Sequence, residues 1–264
     1  MDRTAGATSV RCAGEQMRSF WSAADGLAAS MGSSRNVPGA RSEHSWRIFD
    51  LGSRFYAWFT AQAAWRLSCA QVASRLPVDG RVRALDLGCG PGVSTFELAR
   101  ARPGSLIVVL DRSAQMLEQA RRRLASAGLA SQKVHWLQAD GAHLPVASGS
   151  VDAVTGHSFL YLVADRRLVL AECLRVLCPG GRFITMEPSD QGASWRSVLA
   201  VSRDPRFLIS VALWRPFSRL HGRFSRASLR ATLERAGFVN CTAEATLGGL
   251  GVLAWADKST GGRV

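Results

Sequence analysis

The sequence predicts an α/β protein built on one open, mostly parallel sheet of seven strands. Three observations predict it. Short apolar runs alternate with amphipathic helical stretches from about residue 82 to 256, as in sheets covered by helices on both faces. A glycine-rich segment, 88–92, stands directly after the first of these runs. Acidic residues stand at or just past the ends of the first three runs: Asp86, Asp111 and Asp140.

Taken in order, residues 1–42 are rich in Ala, Gly, Ser and Arg and carry only a weak apolar cluster at Phe20 and Trp21, so a poorly ordered N-terminal segment is expected. From 43 to 76 the aromatic and apolar residues Trp46, Phe49, Phe55, Trp58, Phe59, Trp65 and Leu67 recur at helical spacing, which predicts one or two amphipathic helices. Strands are expected at 82–87, 106–110, 134–137, 151–155 and 183–186. Ser113 is a good N-cap for a helix burying Met116, Leu117, Ala120 and Leu124 and ending near Gly128. A second helix spans about 165–177, stopped by Pro179 and turned by Gly180 and Gly181. Ser225 opens a third, carrying Leu229 and Leu233, and strands at 239–247 and 250–256 close the sheet around Gly248 and Gly249. The segment 189–224 interrupts this alternation and reads as a helical lid over a substrate site. The main domain is thus 43–257, with 258–264 as a tail.

Apolar residues make up 47% of the 264, enough for one large domain with a full core. No apolar run approaches the roughly 18–20 residues a membrane-spanning helix needs, and the N-terminal stretch has no secretory pattern. The six cysteines, Cys12, Cys69, Cys89, Cys173, Cys178 and Cys241, contain no CxxC pair, so neither a disulfide framework nor a metal site is expected, and a reducing cytoplasm suits them. The net charge is +13, and all but Lys133 and Lys258 of the basic residues are arginine. That charge could serve nucleic acid, an anionic membrane face or an acidic substrate, and it also follows from a GC-rich coding sequence.

The chemistry is read from 85–92, LDLGCGPG. Glycines at a strand-to-helix turn let the backbone approach a ligand where open α/β sheets bind one, beyond the carboxyl ends of their strands. A dinucleotide fingerprint would place its third glycine at position 93, which is Val93; here the third is Gly92. Asp86 would repel a pyrophosphate and suits a ligand with a cationic amino group. Asp111 stands where a carboxylate can accept both hydroxyls of a ribose, and Asp140 where it can accept from an adenine amino group. S-adenosylmethionine meets all three conditions.

With these motifs the chain resembles the class I S-adenosylmethionine-dependent methyltransferases, over about 41–257, and most of all the ubiquinone/menaquinone biosynthesis group and its secondary-metabolite relatives. LDLGCGPG resembles the family's first motif and LDRSAQML (110–117) its second. LQADGAHLP (137–145) resembles the adenine-binding segment, LRVLCPGGRFITMEP (174–188) the strand-five motif, and HGRFSRASLRATLERAGF (221–238) the C-terminal helix region. The resemblance implies a Rossmann-like sheet whose last strand is antiparallel. It implies that Asp86, Gly88, Gly90 and Gly92 hold the methionine end, with Cys89 and Arg112 inside the matched motifs. By the same resemblance Asp111 holds the ribose, Met116 packs on the adenine, Asp140 and Gly141 lie at its edge, and the His157 backbone faces the methionyl part. FDLGSRFYAWFT (49–60) resembles the N-terminal helix, in which Tyr56 would cover the cofactor; the usual Tyr-Asp pair is here Tyr56 and Ala57.

Methyl transfer from a sulfonium asks mainly for alignment and a dry site, and for a base only where the acceptor must lose a proton. Candidates for that base are His157, Tyr161 and His221, while His143 reads as a loop residue. The expected acceptor is a small apolar or aromatic molecule, quinone-like or a secondary-metabolite intermediate. The expected enzyme is a monomer or homodimer with peripheral membrane contact through the arginines of 189–224. Methyltransferases of nucleic-acid amino groups carry Asn/Asp-Pro-Pro-Tyr/Phe after strand four, where this chain has Gly156, His157, Ser158 and Phe159. That rival therefore carries less weight, as does a protein that binds the cofactor without turning it over.

Overall fold

A computed structural model describes residues 60, 62–77, 80–129 and 133–261. The segment 1–42 and residues 43–59 of the aromatic stretch, Tyr56 among them, lie outside the described residues. The first described helix, α1 (Ala63–Ser74), buries Trp65, Cys69 and Val72, spaced to put them on one face. After it come β1 (Arg83–Leu87), α2 (Val93–Ala101), β2 (Leu106–Asp111), α3 (Ala114–Ser126), β3 (Lys133–Gln138) and β4 (Val151–His157). A turn of 3₁₀ helix at Leu160–Leu162 leads to α4 (Arg166–Val176) and β5 (Leu177–Pro188). The insertion folds as α5 (Trp195–Val201) and α6 (Pro205–His221), followed by α7 (Arg226–Arg235), β6 (Val239–Thr246) and β7 (Gly251–Asp257).

Among the described residues seven strands form one sheet in the order β3-β2-β1-β4-β5-β7-β6. The pairs of β1 with β2 and β4, of β2 with β3 and of β4 with β5 are parallel. β7 inserts between β5 and β6 and runs antiparallel to both, so the expected antiparallel last strand is observed. The order reverses at β1, and the crevice beyond β1 and β4 is where such sheets take ligands. The inner strands are buried on both faces: Leu85, Leu87, Val109, Val154 and Ile184 are almost wholly inaccessible.

The helix starts follow local chemistry. The Ser113 hydroxyl accepts from the Met116 N–H, and Asp165 caps α4 by accepting from the N–H groups of Arg167 and Leu168. Ser225 and Ser228 form a reciprocal capping box on α7. β5 differs from expectation. Its strand pairing starts at Leu177, opposite Val151, six residues before the predicted 183, because the Pro179–Gly181 turn is taken up as an irregularity of the β4–β5 ladder. The insertion is tied at both ends: Ser189 bridges Phe224, and the Phe224 N–H donates to the Pro188 carbonyl at 2.9 Å.

Candidate active site

The loop after β1 turns through three glycines in the left-handed region, Gly88 (φ 63°), Gly90 (φ 52°) and Gly92 (φ 81°). A side chain at Gly92 would place its Cβ 2.6 Å from the Ala120 Cα, so the loop sits against α3 as only glycine allows. The N–H groups of Gly88 and Cys89 both donate to the Leu110 carbonyl, at 2.8 and 3.2 Å. The half-buried Arg123 guanidinium donates to the Pro91 carbonyl at 2.8 Å. The loop is therefore held by β2 and α3 on its inner side.

Asp111 ends β2 with its carboxylate fixed from two directions. Oδ2 accepts from the Gly90 N–H and Oδ1 from the Ser113 N–H, each at 2.9 Å. These two bonds fix the orientation of the carboxylate at the tip of β2. Asp140 lies beyond β3, accepts from the Ala142 N–H at 3.0 Å, and faces Arg112 at 3.5 Å. Both members of that pair are more than two-fifths exposed, so it guides placement more than it stabilises. Met116 is buried in the first turn of α3, and Cys89 is a buried thiol pushed up by desolvation, hence unreactive.

Asp86 departs from the sequence reading. It is fully inaccessible, and its oxygens accept from Ser94 (2.8 Å), Thr95 (2.7 Å) and Thr155 (3.1 Å). The carboxylate thus turns inward, fastening β1 to the first turn of α2 and to β4, and reaches a ligand's cationic group only through its field. Burial pushes its pKa up to about 6, against the pull of the three hydroxyls.

At the tip of β4 three residues were not singled out from the sequence. Phe159 packs its half-buried ring against the Cα positions of Gly88 and Gly141; a Cβ at Gly141 would lie 3.2 Å from its Cζ. The ring walls the crevice between the glycine loop and the Asp140 segment. Glu187, fully buried in β5, accepts from the N–H groups of Phe159 (3.4 Å), Leu160 (2.9 Å) and Tyr161 (3.1 Å) and from the Thr185 hydroxyl (2.6 Å). Burial pushes Glu187 up to about 6. An acid inside an apolar strand, as in ITMEP, is the signal that marks it. The third residue, Ser68 on α1, lies 2.5 Å from His157 Nε2 and itself donates to the Trp65 carbonyl at 3.1 Å. Its single proton is committed there, so the imidazole Nε2–H donates to Ser68.

The three candidate bases do not converge. His157 packs edge-on against Trp65 (6.4 Å between centroids), and burial pushes its pKa down to about 4, so it stays neutral near pH 7. Tyr161 is buried against Phe217 (6.4 Å), and the exposed His221 stacks on that same Phe217 (4.2 Å) while its Nδ1 lies 2.9 Å from the Phe217 carbonyl. Tyr161 and His221 thus share one aromatic neighbour, and His157 belongs to the Trp65 cluster with Phe207 and Trp214. His143 is exposed.

The residues present fit S-adenosylmethionine: Cβ-free backbone at the glycine loop, and at Asp111 a carboxylate fixed where it could accept from a ribose. Comparison with known proteins agrees. Residues 85–185 match the methyltransferase domain family. Over 148 residues the chain is 36% identical to a demethylmenaquinone methyltransferase of Thermus thermophilus, covering 55% of this chain and 64% of that one. Over 116 residues it is 38% identical to a trans-aconitate 2-methyltransferase of an Azoarcus species, covering 44% of this chain and 42% of the relative. The chain spans between 30% and 64% of the length of the curated relatives it matches first. In fold it is similar to the crystal structure of the [4+2]-cyclase SpnF, with a TM-score of 0.64 at 18% identity over 86% of this chain and all of that one.

Proposed function

We propose that this chain transfers a methyl group from S-adenosylmethionine to a small acceptor with an apolar or aromatic body, quinone-like or a secondary-metabolite intermediate. The observation that carries the reading is Asp111, held by Gly90 and Ser113 so that its carboxylate is fixed beside the glycine loop. When bound, the cofactor supplies an activated methyl group on a sulfonium. Gly88, Gly90 and Gly92 offer it close backbone, Asp111 takes the ribose, and Asp140 and Gly141 take the adenine edge. Phe159 and Tyr161, pinned by Glu187, line the crevice and exclude water, so the acceptor meets the methyl group in a dry, aligned site.

With its low pKa, His157 is a weak base and serves better as a neutral donor and wall. Alignment therefore carries most of the rate, which suits an acceptor already nucleophilic or made so by its own acidity. A demethylmenaquinone methyltransferase among the relatives supports a quinone-like acceptor, and a trans-aconitate methyltransferase supports a carboxylate-bearing one. Incubation with methyl-labelled cofactor and a panel of quinols, phenols and aromatic acids is the test. Label transferred to an organic product, with S-adenosylhomocysteine formed, is expected. Cofactor binding without label transfer to any acceptor would replace catalysis with binding alone.

A further inference from the structure

The insertion closes over a second feature, away from the cofactor loop. Between the tip of β5, α6 and the turn before β7 lies a shallow surface cleft. Ser189, Gln191, Ser218, Arg215, Arg223 and Trp214 are among the residues that line it. Arg223 is anchored: its Nε donates to Ser218 Oγ at 3.0 Å, and one terminal nitrogen donates to the Arg215 carbonyl. The Arg215 guanidinium makes no hydrogen bond or ion pair among the described residues and rests over the Trp195 ring at 5.6 Å. Arg219 adds a third cation, and no carboxylate lies within ion-pair distance of any of the three among the described residues.

Like charges gathered without counter-ions are costly. Burial, and after it the fields of Arg219 and Arg215, hold the Arg223 pKa down, and Asp190 opposes them. Such an arrangement is relieved by an anion, and two guanidiniums beside hydroxyl and amide groups match the fork geometry of a carboxylate or phosphate. Behind the half-buried Trp214 the aromatic rings belong to the core. Trp214 meets Trp65 edge-on at 5.3 Å, and Trp65 meets His157 at the tip of β4.

We propose that this cleft binds the oxyanion end of the methyl acceptor, a carboxylate or phosphate, between Arg215 and Arg223, with the acceptor's apolar body against the half-buried Trp214. The assignment rests on the methyl-transfer reading and narrows it to acceptors with an anionic end. The other source of the same chemistry is a lipid headgroup, and the test separates the two.

The full chain loaded with S-adenosylhomocysteine is titrated calorimetrically with benzoate and with inorganic phosphate. One-site binding of at least one of them is expected. Arg215→Gln and Arg223→Gln should each weaken it at least tenfold, while Arg196→Gln, an exposed arginine of the same insertion, stays within twofold. Arg215→Gln guards against a folding artefact, since that side chain holds no backbone group. S-adenosylhomocysteine affinity should be unchanged in all three. Failure of both oxyanions to bind, or equal binding by wild type and the two cleft variants, overturns the proposal while leaving methyl transfer standing. Failure of S-adenosylhomocysteine itself would instead strike the methyl-transfer reading. Arginine-dependent binding to phosphatidylglycerol vesicles that neither soluble oxyanion competes with would overturn the acceptor assignment in favour of a headgroup.

Discussion

The two halves of the ligand-facing rim are built differently. At the tips of β1 to β3 the functional groups are fixed by backbone: Asp111 by two N–H groups, Asp140 by one, and the glycine loop by the Leu110 carbonyl. At the tips of β4 and β5 they are fixed by side chains from distant elements. Glu187 grips 159–161, Ser68 receives His157, and Trp65, Phe207 and Trp214 pack around them. Under the proposed function the first half would cradle a constant ligand, and the second, a packed wall, would vary with the acceptor.

The largest effect that sharpens this contrast is expected in the cradle. Asp111→Ala removes an acceptor for two loop N–H groups and for the ribose, and S-adenosylhomocysteine affinity should fall about a hundredfold by calorimetry, in line with charged hydrogen bonds of about 1.5–3 kcal/mol. A fall below threefold would show that the cradle does not depend on this carboxylate. Next comes Gly92→Ala, which forces a left-handed alanine against Ala120 and should cost about 1–3 kcal/mol, read by chemical denaturation.

In the wall, burial raises Glu187 from its ordinary 4.5 to about 6, as it raises Asp86 from 3.8 to about 6. The folded chain then holds these protons more tightly than the unfolded one. Their contribution to stability is full below pH about 4 and is lost as pH rises through about 6. His157, lowered from 6.5 to about 4, acts in the opposite sense: its contribution is full above pH 6.5 and lost as pH falls through 4. Between those limits the groups oppose one another. Glu187→Gln should therefore make Tm rise more, or fall less, with increasing pH than in the wild type, and His157→Asn should do the reverse. Identical slopes in both variants would contradict the burial on which the wall depends. The smallest effect is expected from His221→Ala, since that ring is exposed and bonded to its own helix: kcat should change less than twofold, and a tenfold loss would restore it as a base.

The same contrast explains what the sequence revealed. Glycine spacing and the acids at three successive strand ends depend on local geometry, so the parallel part of the sheet was legible, while the antiparallel last strand came from the resemblance. The inward turn of Asp86 was not legible, because its three hydroxyl partners come from α2 and β4, eight, nine and 69 residues away. Ser68 and His157 are separated by 89 residues, and no local pattern announces such a pair. Glu187 carried a readable sign, a carboxylate within an apolar strand, but its three N–H donors lie on another segment. The insertion was legible as an interruption of the α/β alternation; that two of its arginines, Arg215 and Arg223, line one cleft required the fold of α6.

The central claim is that the cradle accepts a phosphate-free, cationic nucleoside, and paired titrations test it most directly. Calorimetry of the full chain with S-adenosylhomocysteine should give one site per chain, and the same experiment with NAD should give no heat of binding. Uptake of NAD with indifference to S-adenosylhomocysteine would contradict the account.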